Sequence, residues 1–167
     1  NKNIASLIES IKSSKVPLVM VGAAITDNQI PQTKELNKLI RRLGLEDKII
    51  KTGFVNETEL VSLYNLASVT ILPSFYEGFG FPVLESMACG TPVICSNNSS
   101  LSEIAGKVAI FADPSNPEDI SKKTREVINM SKTKRVLLSQ KLIAHASTFT
   151  WEKTAKQTIE VYQKAAG

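Results

Sequence analysis

The chain has 167 residues, of which 43% are apolar and 22% charged, and it carries a formal net charge of +4. That length suits one domain with a real hydrophobic core, and no apolar run approaches the roughly 18 residues of a membrane span. The basic excess sits largely in residues 122–164 without the dense patch and interleaved aromatics of a nucleic-acid surface, so no nucleic-acid partner is expected.

In chain order, Ile4, Leu7, Ile8 and Ile11 follow helical spacing, and "VPLVMVG" (Val16 to Gly22) then predicts a short, fully buried strand. A second helix is predicted from Pro31 to Leu43, stopped by Gly44. "KIIKTGFV" (Lys48 to Val55) predicts another strand. Asn56 caps the helix after it, with Glu59 at the capping-box position and Leu60, Leu63, Tyr64 and Ala67 along the helix. "SVTILPS" is the next strand, followed by "FYEGFGFPVLE" with Pro82 at the first position of a helix. "TPVICS" and "VAIFADP" are further strands, separated by a short helix that Ser100 and Glu103 introduce with a second capping-box signature. Three helical stretches close the chain, one opening at Pro117 and the last capped by Thr150. Strands alternating with helices predict an α/β fold, a doubly wound parallel sheet with helices on both faces and a helical C-terminal tail. Such a domain normally opens on a strand, whereas this chain opens on a helix and without an initiator Met. The expectation is a single domain, residues 1–167, that is a fragment lacking its first strand.

The segment from Ser74 to Glu85 holds the densest chemistry, and three readings of it compete: a phosphate-cradling turn, a carboxylate pair, or a buried strand-to-helix corner. Doubly wound sheets bind ligands outside the carboxyl ends of their strands, and the strand before Ser74 delivers the loop to such an end. Gly78 and Gly80 let a ligand approach the main chain, and the first amides of the following helix form an anion site, with Phe81, Val83 and Leu84 as candidate donors because Pro82 has no N–H. "GFGFPV" is not the dinucleotide fingerprint, since Val83 occupies the place of its third glycine. Glu77 and Glu85 flank this loop. Their spacing alone says little, because Glu118 with Glu126 and Glu152 with Glu160 repeat it in solvated helices. Carboxylates accept pairs of hydrogen bonds and so suit sugar and ribose hydroxyls.

"LPSFYEGFGFPVLESMACGTPVICSNNSSLSEIAG" resembles the donor-binding signature of the retaining glycosyltransferases of family 4, which have the two-domain GT-B fold. "KNIASLIESI", "GFVNETELVSLYNLA", "FADPSNPEDI" and "FTWEKTA" resemble the same family in the same order. The resemblance implies the C-terminal, nucleotide-sugar-binding domain alone, its acceptor site lying on an N-terminal domain of the same protein. It implies that Glu77 bonds the donor sugar, Glu85 the ribose, and the backbone of Gly78, Phe79, Gly80, Phe81, Pro82 and Val83 the sugar and diphosphate. It places Gly53, Phe54 and Val55 beside the base with Leu60 nearby, and makes Lys2 the candidate second member of a basic pair on the diphosphate. The donor is a substrate, and neither cofactor nor metal is expected. "VGAA" lacks a second glycine common in the family, and Lys107 stands where an acidic residue is frequent, which leaves the donor's identity open.

The function expected is transfer of a hexose from a nucleoside-diphosphate sugar to a sugar or lipid-linked acceptor, the isolated domain being inactive. The alternatives are a non-catalytic nucleotide-sugar-binding module and a nucleotide-sugar epimerase of the same architecture. Cys89 and Cys95 are too few for a disulfide framework and predict reduced core thiols in the cytoplasm, with the complete protein cytoplasmic or peripheral at the inner face of a membrane. His145 and Trp151 are expected to pack rather than to react.

Overall fold

The structure is a computed structural model that describes residues 2–167. Among the described residues five short strands and eight α-helices alternate up to β5 and end in three consecutive helices: α1 (Ile4–Ser10), β1 (Leu18–Val21), α2 (Pro31–Leu43), β2 (Ile49–Gly53), α3 (Glu57–Leu66), β3 (Thr70–Leu72), α4 (Phe81–Ala88), β4 (Val93–Ser96), α5 (Ser99–Ala105), β5 (Ile110–Ala112), α6 (Pro117–Ile128), α7 (Lys132–Ala146) and α8 (Trp151–Ala166). All strand pairings are parallel, β1 with β2 and β3 with β4 with β5. The α/β class and the helical tail predicted from the sequence are therefore present.

The local signals act much as the residues dictate. Pro31 opens α2, and Gly44 ends it at φ 63°, in the left-handed conformation that glycine adopts without a Cβ clash. Asn56 and Glu59 complete a reciprocal capping box on α3. Asn116, Ser131 and Thr150 each accept a first-turn amide of α6, α7 and α8. Two signals resolve differently. Ser100 and Glu103 form no capping box, because α5 starts two residues earlier, with Asn98 as its cap position and no side-chain cap, and the Ser100 hydroxyl donates to the carbonyl of Glu77 instead. Pro82 takes the second rather than the first position of α4, whose cap is Gly80.

Helices cover both faces of the three-stranded sheet. On one face Val93 and Cys95 pack with Val83, Met87, Leu101 and Leu142 from α4, α5 and α7. On the other, Ile94 and Ala112 meet Ile120 and Val127 of α6. The β1–β2 pair buries Leu18 and Ile49 under α1 and α2. Its opposite face is open: Val19 is 41% exposed, Val21 40% and Ile50 52%. The fully buried strand predicted over Val16–Gly22 is thus buried on one face only, because the second covering layer reaches β3, β4 and β5 but not β1.

The strands form two parallel pieces, β1 paired with β2, and β3, β4 and β5 side by side in chain order. On one face α1 touches both α2 and α6 and so spans the two pieces.

Candidate active site

The loop from Pro73 to Gly80 leaves the carboxyl end of β3, the side of a parallel sheet on which doubly wound folds take ligands. Gly80, buried at φ 109°, turns the chain into α4; a Cβ there would stand 2.8 Å from Leu101 Cδ2. The amides of Val83 and Leu84 return to the Gly80 carbonyl at 2.9 and 3.3 Å. Among the described residues the amides of Gly78, Phe79, Gly80 and Phe81 have no acceptor, so the open anion site lies earlier in the loop than Val83. The Phe79 and Phe81 rings meet at 4.6 Å between centroids, and both are exposed.

Glu77 is half-buried and held at three points. Ser74 Oγ donates to its Oε1 at 2.7 Å, its amide donates to Ser99 Oγ at 3.2 Å, and Ser100 Oγ donates to its carbonyl at 2.8 Å. Glu85 lies one turn into α4 with its carboxylate exposed, and Tyr64 of α3 donates its hydroxyl to Oε2 at 2.9 Å. Burial, reinforced by that carboxylate, holds the Tyr64 phenol well above its ordinary value, so it stays a donor. Each glutamate keeps one carboxylate oxygen without a partner among the described residues.

The remaining predicted site residues line the neighbouring strand ends. Gly53 closes β2 at φ 71° and accepts from the Gly22 amide at 2.9 Å, tying the ends of β1 and β2 together. Phe54 follows, 81% exposed, then Val55. Leu60 shares a face of α3 with Tyr64, four residues on; α3 thereby links the 53–55 segment to Glu85. Lys2 is exposed. Its neighbour Asn3 reaches the Pro114 carbonyl just past β5, which puts Lys2 at the carboxyl end of the strands.

Residues outside the site behave structurally. His145 Nε2 bonds the Ile104 carbonyl at 2.8 Å and its ring meets Phe149. Cys89 and Cys95 are free thiols, and Trp151 starts α8, 78% exposed rather than packed. Lys107 lies in the turn before β5, at the opposite end of the strands from the loop. A cleft of about 320 Å³ between α3, α7 and the turn before β4 also lies at that opposite end. Among the described residues no three His, Cys, Asp or Glu side chains gather in one place, and no helix is long and apolar enough to cross a membrane.

The sequence missed Tyr64, Ser74, Ser99 and Ser100 as site residues. Ser99 has the one local irregularity among these, a positive φ of 47° in a residue other than glycine, and nothing in the sequence announces it.

A parallel α/β sheet with helices on both faces and a carboxylate-flanked, amide-rich loop at the carboxyl end of β3 has the Rossmann-like architecture of GT-B C-terminal domains. Residues 1–141 match the family described as glycosyl transferases group 1, and the chain belongs to that family. It is 33% identical to O-antigen chain mannosyltransferase B of Escherichia coli over 168 residues, covering 97% of this chain and 42% of that protein. Sucrose-phosphate synthase from Thermosynechococcus elongatus superposes with a TM-score of 0.84 at 24% identity, over 99% of this chain and 43% of that one. Anabaena HepE, in complex with UDP and glucose, gives 0.82 at 24% identity, over 97% and 45%. The chain spans less than half the length of each of these proteins.

Proposed function

We propose that this chain is the donor-binding half of a retaining, metal-independent glycosyltransferase of family 4, transferring a hexose from a nucleoside-diphosphate sugar to a sugar or lipid-linked acceptor. The observation that carries it is the row of four unpaired amides, Gly78 to Phe81, bracketed by two carboxylates that each keep a free oxygen. The amides receive the diphosphate, whose growing charge as the glycosidic bond breaks they stabilise without reorganising. Glu77 takes the sugar hydroxyls and Glu85 the ribose hydroxyls. Phe54, Val55 and Leu60 border the base, and Lys2 adds charge at the strand ends. The relative named a mannosyltransferase makes mannose the first sugar to try.

The acceptor wall belongs to an N-terminal domain of the complete polypeptide, and a strand from ahead of Asn1 fits between β1 and β3 beneath α1. The support is the division of the strands into two unjoined parallel pieces and the way α1 bridges them.

Calorimetric titration with UDP, GDP and ADP and their hexose conjugates tests the assignment. Glu85→Ala is expected to weaken both the nucleotide and its conjugate, and Glu77→Ala the conjugate alone. Wild-type affinity for every ligand in both variants would reject the site.

A further inference from the structure

Glu77 is gripped at its side chain, its amide and its carbonyl by three different serine hydroxyls, and the three come from two segments that only the fold brings together. Ser74, wholly buried, comes from the end of β3 and bonds the carboxylate. Ser99 and Ser100 come from the start of α5, more than twenty residues away, and bond the amide and the carbonyl. A hydroxyl both donates and accepts, so neighbouring serines can meet the two opposite backbone groups of one residue. A glycine-rich loop left to itself would move freely.

Ser99 holds its place at φ 47°, in the left-handed region where a Cβ crowds the backbone. A glycine there would relieve that crowding but would carry no hydroxyl to accept from Glu77. Ser100 likewise spends on Glu77 the hydroxyl that the sequence offers to a helix cap. In both serines a local preference gives way to a bond to the same residue, which is the pattern expected where function rather than folding selects the side chain.

We propose that Ser74, Ser99 and Ser100 are positioning residues that fix the Glu77 carboxylate in the orientation that meets the donor sugar, and that Ser99 keeps its strained backbone to do so. Ser74 occupies Oε1 and thereby turns Oε2 toward the ligand, while the two α5 hydroxyls stop the loop from sliding along the strand ends. This rests on the assignment of Glu77 as the sugar contact.

The test compares Ser99→Gly, Ser100→Ala and Glu77→Ala in the complete polypeptide, measuring melting temperature, affinity for UDP and GDP, and kcat with the hexose conjugate that transfers fastest. Ser99→Gly is expected to melt at or above the wild-type temperature and to bind the nucleoside diphosphate within about twofold of wild type. Its kcat is expected to fall roughly tenfold or more, as displaced catalytic groups do. Ser100→Ala is expected to show the same split between kcat and nucleotide affinity. Wild-type kcat in Ser99→Gly alongside an inactive Glu77→Ala overturns the positioning role and leaves the Glu77 assignment standing. Parallel losses of melting temperature, nucleotide affinity and kcat in Ser99→Gly also overturn it, since they mark a purely structural contact. Wild-type transfer by Glu77→Ala removes the sugar contact itself, and the positioning role with it.

Discussion

Tyr64 and Glu85, 21 residues apart on different helices, are joined by a 2.9 Å bond from the phenol to Oε2. The Tyr64 carbonyl is itself fixed by the Thr91 hydroxyl at 2.7 Å, so the base of α3 is anchored to the turn before β4. The carboxylate assigned to the ribose is thus aimed from a rigid support. Tyr64→Phe keeps the ring and removes the bond. A hydrogen bond to a charged group contributes up to about 1.5–3 kcal/mol to stability, less where the carboxylate is exposed as in Glu85, so the variant is expected to lose some stability and, with Glu85 no longer oriented, nucleotide affinity as well. Titration of the variant with ribo- and deoxyribonucleoside diphosphates checks this: the preference for the ribose form should shrink, and an undiminished preference would show that Glu85 needs no such support.

Gly78 and Gly80 separate two roles that glycine can play. A Cβ at Gly80 meets Leu101 at 2.8 Å with φ at 109°, so Gly80→Ala is expected to destabilise by about 1–3 kcal/mol. Thermal denaturation should show a drop of roughly 2–4 °C per kcal/mol. A Cβ at Gly78 meets nothing within 4 Å. Gly78→Ala is therefore expected to melt like wild type yet lose donor affinity, because only a ligand lying against the main chain there would feel the methyl.

The Asn56 capping box holds the helix that carries Leu60 and Tyr64. Asn56→Ala is expected to cost about 0.5–2 kcal/mol in chemical denaturation. Nucleotide affinity should fall by less than in Tyr64→Phe, since the contact with Glu85 lies two turns further on.

Burial pushes the Cys95 thiol from its ordinary 9.0 up to about 12. Below pH 9 folded and unfolded chains both hold the proton, and stability is unaffected by it. Between pH 9 and 12 the unfolded chain releases a proton that the folded chain retains, so stability falls as pH rises, by up to about 1.4 kcal/mol per pH unit. Denaturation series of wild type and Cys95→Ala across pH 8–11 should therefore converge toward high pH, and parallel curves would show that the thiol ionises equally in both states.

The parts of the fold that one segment decides were legible in the sequence, and the parts that two segments decide were not. Pro31, the apolar spacing of α2 and Gly44 carry that helix without help from elsewhere, and Asn56 and Glu59 cap α3 within four residues. The Ser100–Glu103 box had the same local form and failed because α5 starts two residues earlier, which leaves the Ser100 hydroxyl to donate to Glu77. Val19 and Val21 read as buried because β-branched runs normally are, but burial depends on a covering layer that no strand can specify for itself. In the candidate site, the motif was enough to put Glu77, Glu85 and the glycines around one strand-to-helix loop, where the structure has them. Tyr64 and the serines were not, since their contacts arise only when β3, α4 and α5 come together.

The open valine and isoleucine face of β1 and β2 lies next to unpaired strand edges, and such edges template pairing with other chains. Purified alone, the chain is expected to self-associate at high concentration. Salt should strengthen the tendency by screening the repulsion of its +4 charge, and light scattering against ionic strength would register it. A face that folds without a cover and an edge without a neighbour together make this polypeptide a poor colloid.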